Sequence, residues 1–195
     1  SRSCSFSQVR FIMKLISLAA GQLVGRLTVV LTLGTIVAGC DLLPSERPGP
    51  HIQGDVFEHL DDGWDILLFF WPCFNMAVSG ARWFKHKQKE QAADVEAFIR
   101  LAEYKAIPKR CGENPIGVLS TKYRKPDQII QPWQHGHGET KATCLWLAGL
   151  PLLKPSNIVS GRIPRVHREP PGPDRWKNRS RTLPGLAHAM AEQWG

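Results

Sequence analysis

One segment restricts the possible folds more than any other. Asp65–Phe70 contains a continuous apolar run with the length of a strand, and Pro72 then stops it. A strand that is apolar on both of its faces is typical of a sheet that is buried on both sides. The run therefore predicts a strand within an α/β sheet.

Segments with strand and helix character alternate along the rest of the chain. The predicted strands are Lys14–Ala19, Thr35–Cys40, His51–Gly54, Ile107–Gly112, Gln128–Gln134 and Ala142–Leu147, the last two as an antiparallel pair. The predicted helices are Leu23–Leu33, ended by Gly34, then Gln88–Tyr104, and a last helix after the candidate cap Thr182. The two later helices show apolar faces, formed by Ala92, Val95, Phe98, Ile99 and Ala102 and by Leu186, Ala187, Met190 and Trp194. This alternation predicts one α/β domain with a Rossmann-like sheet and helices on both faces.

The composition fits a folded protein with a polyanionic partner. Hydrophobic residues make up 43% of the 195 residues and seven residues are Trp, which excludes a disordered chain. Lys and Arg number 25 against 17 Asp and Glu, so the formal charge is 25 − 17 = +8. A basic surface of this kind favours association with a polyanion.

The cysteines follow no framework pattern. The five of them, Cys4, Cys40, Cys73, Cys111 and Cys144, are far apart and include no Cys-x-x-Cys pair. This spacing argues against a disulfide scaffold and a Cys-rich zinc site, and predicts reduced thiols in the cytoplasm. His135 and His137, with Cys144 nearby, fit no zinc-ligand spacing, so no metal site is predicted.

The N-terminal part allows a second interpretation. An apolar run from Leu27 to Val37 leads into Val37-Ala38-Gly39-Cys40, which matches the cleavage site of a bacterial lipoprotein lipidated at Cys40. Gln22 and Arg26 interrupt the apolar stretch, and a domain-like sequence continues after Cys40. These two features favour a buried strand over a membrane anchor. Residues 1–12, before an internal Met13, are interpreted as a tag or upstream extension.

Polar residues and turns follow the predicted strands. Asp41 and Asp55 come after the second and third strands, the Pro72-Cys73 turn after the fourth, and Glu113 after the fifth. Ligands of open α/β sheets bind outside the carboxyl ends of the strands. The sequence therefore predicts that these residues line one edge of the sheet.

A set of motifs resembles a known protein family. They are Cys40-Asp-Leu-Leu-Pro-Ser-Glu-Arg-Pro-Gly-Pro-His-Ile-Gln-Gly-Asp-Val56, Pro72-Cys73, Ser79-Gly-x-Arg-Trp83, Glu113-Asn-Pro115, Gln131-Pro-Trp-Gln134, Gly136-His-Gly138, Lys141-Ala-Thr-Cys-Leu-Trp-Leu147, Gly149-Leu-Pro151, Arg175-Trp-Lys, Arg179-Ser-Arg-Thr182 and Ala189-Met-Ala-Glu-Gln-Trp-Gly195. From about Cys40 to the C-terminus, the chain resembles small phage and prophage proteins classed as cytosine-specific DNA methyltransferases. The resemblance implies a class I methyltransferase fold, S-adenosylmethionine as cofactor and DNA as partner, with no obligate protein partner.

The resemblance also implies residue roles. Asp41 would bind the cofactor ribose, Asp55 its adenine amino group, and Gly21 belongs where the first cofactor motif is expected. Pro72-Cys73 corresponds to the nucleophile turn, and Glu113 with Asn114 to the Glu-Asn motif. Cytosine C5 is a poor nucleophile, so a thiolate must first add at C6 while a carboxylic acid close to N3 offsets the charge in the ring.

A basic, Pro-rich segment precedes the last helix. We divide the chain into a core, residues 13–160, and a basic loop with the C-terminal helix packing on the core, residues 161–195. Arg175, Lys177, Arg179 and Arg181 are its candidate DNA contacts, in the manner of a phosphate-binding arm. Trp133 and Trp176 are candidates for stacking on a base.

Two departures from the family pattern keep alternatives open. The first cofactor motif, at Ala19-Ala-Gly-Gln-Leu-Val-Gly-Arg26, lacks the expected acid, and Trp71 stands where relatives have the first proline of Pro-Pro-Cys. A DNA-binding relative without catalysis is therefore the alternative to a cytosine methyltransferase. An amino-methylating variant and the lipoprotein interpretation rank below these two.

Overall fold

The computed structural model describes residues 28–33, 36–42, 50–173, 175–180 and 183–195. Seven strands of this part form one mixed sheet in the order β3-β2-β1-β4-β5-β7-β6. The strands are β1 Thr28–Leu33, β2 Ile36–Asp41, β3 His51–Gln53, β4 Ile66–Phe70, β5 Lys109–Pro115, β6 Gln128–Ile130 and β7 Thr143–Ala148. The predicted α/β class is confirmed in this coarse form: a mixed sheet accompanied by several helices.

Helices connect the strands and follow the sheet at the C-terminus. They are α1 Gln88–Ala102, α2 Leu119–Lys122, α3 Arg165–Arg168, α4 Arg175–Ser180 and α5 Pro184–Trp194, with 3₁₀ helices at Val56–Glu58, Val78–His86 and Pro132–Gln134. The long predicted helix is confirmed as α1. The strand predicted to run to Gln134 ends at Ile130 instead, because Pro132 lacks the N–H that would continue the ladder.

Five strands of the sheet, β2 to β6, run in one direction. β2 is parallel to β3 and β4 is parallel to β5, while β1 is antiparallel to both β2 and β4. The carboxyl ends of β2, β3, β4 and β5 therefore meet at one edge, which we call the carboxyl edge. β7 is antiparallel to β5 and to β6, as predicted for the late pair.

The prediction of a helix at Leu23–Leu33 is wrong for the described residues, because Thr28–Leu33 is strand β1. Its sequence, Thr-Val-Val-Leu-Thr-Leu, is rich in β-branched residues, which suit a strand. Pairing with strands on both sides then overrides the helical interpretation. The predicted strand Lys14–Ala19 and the cap Gly34 lie outside the described residues.

The hydrophobic core lies on both faces of the sheet. In β4, Ile66, Leu68 and Phe70 face the cluster that contains α5. Leu67 and Phe69 face the other cluster, which contains the buried side of α1. Burying each side chain of this size stabilises the fold by about 1.5–3 kcal/mol. The apolar run of β4 is thus explained by helices on both sides.

The apolar face predicted for α5 is confirmed, since Leu186, Ala187, Met190 and Trp194 are all buried. The face predicted for α1 is correct except at Ala92, which is exposed, whereas Leu101 is buried. α5 begins at Pro184 with Leu183 in the capping position, so the predicted cap is displaced by one residue. Proline suits the first turn because its missing N–H has no helical partner there.

The strand interpretation of Cys40 is the one that the fold supports. Cys40 is 1% exposed in β2, where it pairs with Val29 of β1 and Ile52 of β3. Cleavage before Cys40 would remove β1 and most of β2 from the sheet. Within the described residues, none of the helices combines the length and apolarity needed to cross a membrane.

Candidate functional site

Cys73 and Glu113 line one cavity at the carboxyl edge. Phe70, the last residue of β4, lies opposite Glu113 in the parallel register with β5, and Cys73 follows three residues later. The cavity has a volume of about 460 Å³. Its other walls are formed by Phe70, Trp71, Pro72, Phe74, Ala77, Val78, Ser79, Gly80, Pro115, Ile116, Lys141, Ala142, Val166, His167 and Arg179. Glu113 belongs to β5 itself and does not follow the strand as predicted, because the ladder with β7 extends to Pro115.

The turn that carries Cys73 is fixed to α1 by a carboxylate. Asp94 accepts hydrogen bonds from Trp71 Nε1 at 3.2 Å and from Asn75 Nδ2 at 2.8 Å. Gln91 Nε2 of the same helix donates to the backbone oxygen of Asn75 at 2.7 Å. Residues on both sides of Cys73 are therefore bound to one helix, which holds the thiol at the cavity wall.

Asn114 positions this turn from the other side. Its side chain is fully buried, and Nδ2 donates to the backbone oxygen of Trp71 at 2.9 Å. Asn114 therefore ties β5 to the residue that precedes Pro72-Cys73, and it is absent from the cavity wall. Its predicted catalytic role stays a prediction, and Pro72, predicted beside Cys73, does line the cavity.

The two chemical groups of the cavity influence each other. Burial and the neighbouring Glu113 raise the pKa of the Cys73 thiol, while Lys141 and Arg179 act in the opposite direction. Burial also raises the pKa of Glu113, against the opposing effects of Lys141 and of a hydrogen bond with Thr143. Both shifts favour the protonated forms. The site thus holds an acid able to donate a proton and a thiol that ionises more readily when Glu113 is neutral.

Two basic residues contribute a basic wall to the cavity. Lys141 precedes β7, and Arg179 lies in α4. Sequence reasoning did not single out Lys141, since its only signal was its place within a motif of the family resemblance. Cations that share a cavity with a thiol favour the thiolate and attract an anionic ligand.

The structure describes the side chains of two of the four predicted DNA contacts, and it places them differently. Arg179 lines the cavity, whereas Arg175 Nε donates to the backbone oxygen of Glu169 at 2.8 Å and so stabilises its own loop. The Lys177 side chain and Arg181 lie outside what the structure describes.

The predicted cofactor residues lie on the same edge of the sheet. Asp41 ends β2, and its backbone oxygen accepts a hydrogen bond from Gly54 N at 3.0 Å. The Asp55 carboxylate accepts from Phe57 N at 3.0 Å and so caps the helix Val56–Glu58. Gly21 lies outside the described residues.

These residues fit only one end of S-adenosylmethionine. Two carboxylates at adjacent strand ends suit the adenosine part. The glycine loop for the methionine part is predicted at residues 19–26, which precede β1 and lie outside the described residues. The described residues therefore form no complete cradle for this cofactor.

Comparison with known proteins adds no assignment: no family model, no curated protein and no solved structure matches the chain.

Proposed function

We propose that this protein is a DNA methyltransferase of the cytosine type, acting through Cys73 and Glu113. The observation that carries the proposal is that these two side chains, far apart in the sequence, line one cavity at the carboxyl edge of the sheet. Its volume of about 460 Å³ lies in the usual range of small-molecule sites and exceeds the size of a pyrimidine. The basic wall favours a substrate that belongs to a polyanion.

The proposed chemistry begins with a cytosine that has left the DNA stack and entered the cavity. The Cys73 thiolate forms a bond from Sγ to C6, the electron pair of the C5–C6 double bond moves between C4 and C5, and the C4–N3 π pair moves to N3. Glu113 donates its proton to N3, so the adduct is neutral and C5 becomes nucleophilic. When bound, S-adenosylmethionine would supply the methyl group that C5 takes. Loss of the C5 proton to water and departure of Sγ from C6 then restore the C5–C6 double bond, and N3 returns its proton to Glu113.

The electrostatics of the cavity support this division of roles. A raised pKa keeps Glu113 protonated at higher pH, as a proton donor requires. Once Glu113 is neutral, it no longer opposes ionisation of Cys73, and Lys141 and Arg179 favour the thiolate. Preorganised charges of this kind stabilise a transition state without rearranging.

The test is transfer of a labelled methyl group from S-adenosylmethionine to cytosine-containing DNA. We expect transfer by the full chain, no transfer by Cys73→Ser, and a loss of about 10²–10⁴-fold in Glu113→Gln. Cys40→Ala is the matched control, because burial raises the pKa of Cys40 to about 11 and this thiol lies away from the cavity. Transfer that persists in Cys73→Ser would reject the proposed role of the thiol.

A DNA-binding protein without catalysis is the second candidate. The departures of the sequence from the family pattern favour it, because the first cofactor motif lacks the expected acid and Trp71, which lines the cavity, stands in place of a proline. Calorimetry with S-adenosylmethionine separates the two functions. Binding that is lost in Asp55→Ala supports the enzyme, whereas no heat of binding supports the second candidate.

A further inference from the structure

Exposed apolar side chains surround the mouth of the cavity. Phe74, Val78, Trp83 and Ile116 keep 55%, 59%, 53% and 45% of their surfaces exposed. Three of them, Phe74, Val78 and Ile116, also line the cavity. Large apolar side chains that cluster in the open mark a binding surface. We call these four residues the aromatic lip.

The 3₁₀ helix Val78–His86 extends this surface away from the cavity. Side chains three residues apart lie above one another in such a helix. Gly80, which lines the cavity, therefore shares a face with Trp83 and His86, and the rings of these two residues are 6.5 Å apart. None of the nine residues of the helix is buried, so Trp83 contributes no packing to the hydrophobic core.

Cations are interleaved with the rings of the lip. The Arg82 guanidinium lies 5.2 Å from the centre of the Trp83 ring, and Lys87 Nζ lies 5.4 Å from that of Phe74. The sequence has no Asp or Glu between Asp65 and Glu90. Proteins that bind single-stranded nucleic acid combine these two features, rings for the faces of bases and cations for phosphates.

We infer that the aromatic lip binds single-stranded DNA, with bases stacked on Trp83 and Phe74 and phosphates contacted by Arg82, Lys85 and Lys87. A duplex hides the faces of its bases within the stack, so this surface favours an unpaired strand. The lip would hold the neighbours of the base that enters the cavity. The inference rests on the proposed function for the identity of the nucleic acid, but it does not require the thiol chemistry.

The experiment measures binding of labelled oligothymidine to the full chain by fluorescence anisotropy, because this strand contains no cytosine. We expect tighter binding than to a duplex of equal length at the same salt, and a loss of about 5- to 150-fold in Trp83→Ala. Trp83→Phe keeps a ring and should recover most of the affinity. Lys85→Gln should lower the salt slope by about 0.7. Leu152→Ala, at a side chain 57% exposed after β7, should bind like the unchanged protein.

Equal affinity for the duplex, or a Trp83→Ala variant that binds as tightly as Leu152→Ala, would overturn the inference. Binding to phosphatidylserine vesicles without competition from oligothymidine would assign the lip to a membrane surface and also overturn it. These outcomes are separable from the proposed function. The oligothymidine measurement uses no cytosine and no methyl donor, so absence of methyl transfer leaves it unchanged. Conversely, methyl transfer together with binding to duplex DNA alone would refute the inference about the aromatic lip but not the proposed function.

Discussion

Replacing Asp94 by alanine tests whether the Cys73 turn depends on α1. Asp94 accepts hydrogen bonds from Trp71 Nε1 at 3.2 Å and Asn75 Nδ2 at 2.8 Å. Asn75 is 4% exposed, so its amide would lose a partner without reaching water, at a cost of about 1–3 kcal/mol. The partly exposed Trp71 N–H adds about 0.5–1.5 kcal/mol, and the better helix propensity of alanine offsets roughly 0.5 kcal/mol. We expect a net loss of about 1–4 kcal/mol in the free energy of unfolding.

The assay is urea unfolding, compared with Glu96→Ala, an exposed acid of the same helix. Glu96→Ala should change stability by less than about 0.5 kcal/mol. Asp94→Ala should lower the midpoint with an unchanged slope and should also speed alkylation of Cys73, since the turn loses its support. If the two variants unfold at the same urea concentration, the network does not hold the turn and the reasoning is refuted.

The remaining predictions concern charge and packing around the cavity. The rate at which Cys73 is alkylated should rise with pH to a midpoint above the ordinary thiol value of 9.0. Glu113→Gln should lower this midpoint because it removes a negative charge, and Lys141→Gln should raise it because it removes a positive one. A higher midpoint in Glu113→Gln than in Lys141→Gln would contradict the electrostatic account. Below pH 4.5, Glu113 is protonated in both the folded and the unfolded protein, so it does not lower the free energy of unfolding. As pH rises through the raised pKa of the folded state, stability is lost. The melting temperature of Glu113→Gln should therefore vary less with pH above 4.5. Gly117→Ala would drive its Cβ into the backbone oxygen of Met76 and should cost about 1–3 kcal/mol in urea unfolding. Gly172→Ala, with open space around it, should be nearly neutral.

Much of the sheet could be predicted because local pattern and burial agree. β4 is apolar at every position and is covered on both faces, so its sequence alone indicates its place. α1 and α5 show their buried faces through helical spacing. In each case the folded structure buries the apolar positions whose spacing the sequence already shows.

The direction of β1 could not be predicted in the same way. An apolar run in the sequence does not say which partner it will pair with, and antiparallel pairing with β2 and β4 decided its structure. Within the candidate site, the thiol could be predicted, because Pro72-Cys73 follows the apolar run of β4 and therefore lies at the carboxyl edge. Lys141 and Asp94 were missed, because their importance arises only from contacts with residues distant in the sequence.

The account depends on Cys73 adding to a cytosine that Glu113 protonates, and covalent trapping tests this most directly. A DNA strand carrying 5-azacytosine suits the measurement, because the ring nitrogen at position 5 draws electrons from C6 and favours attack by a thiolate without a methyl donor. Intact-mass measurement should show the protein joined to one strand. The adduct should be absent in Cys73→Ser and strongly reduced in Glu113→Gln, but present in Cys40→Ala. An unmodified mass for the unchanged protein, or an adduct that survives Cys73→Ser, would contradict the account.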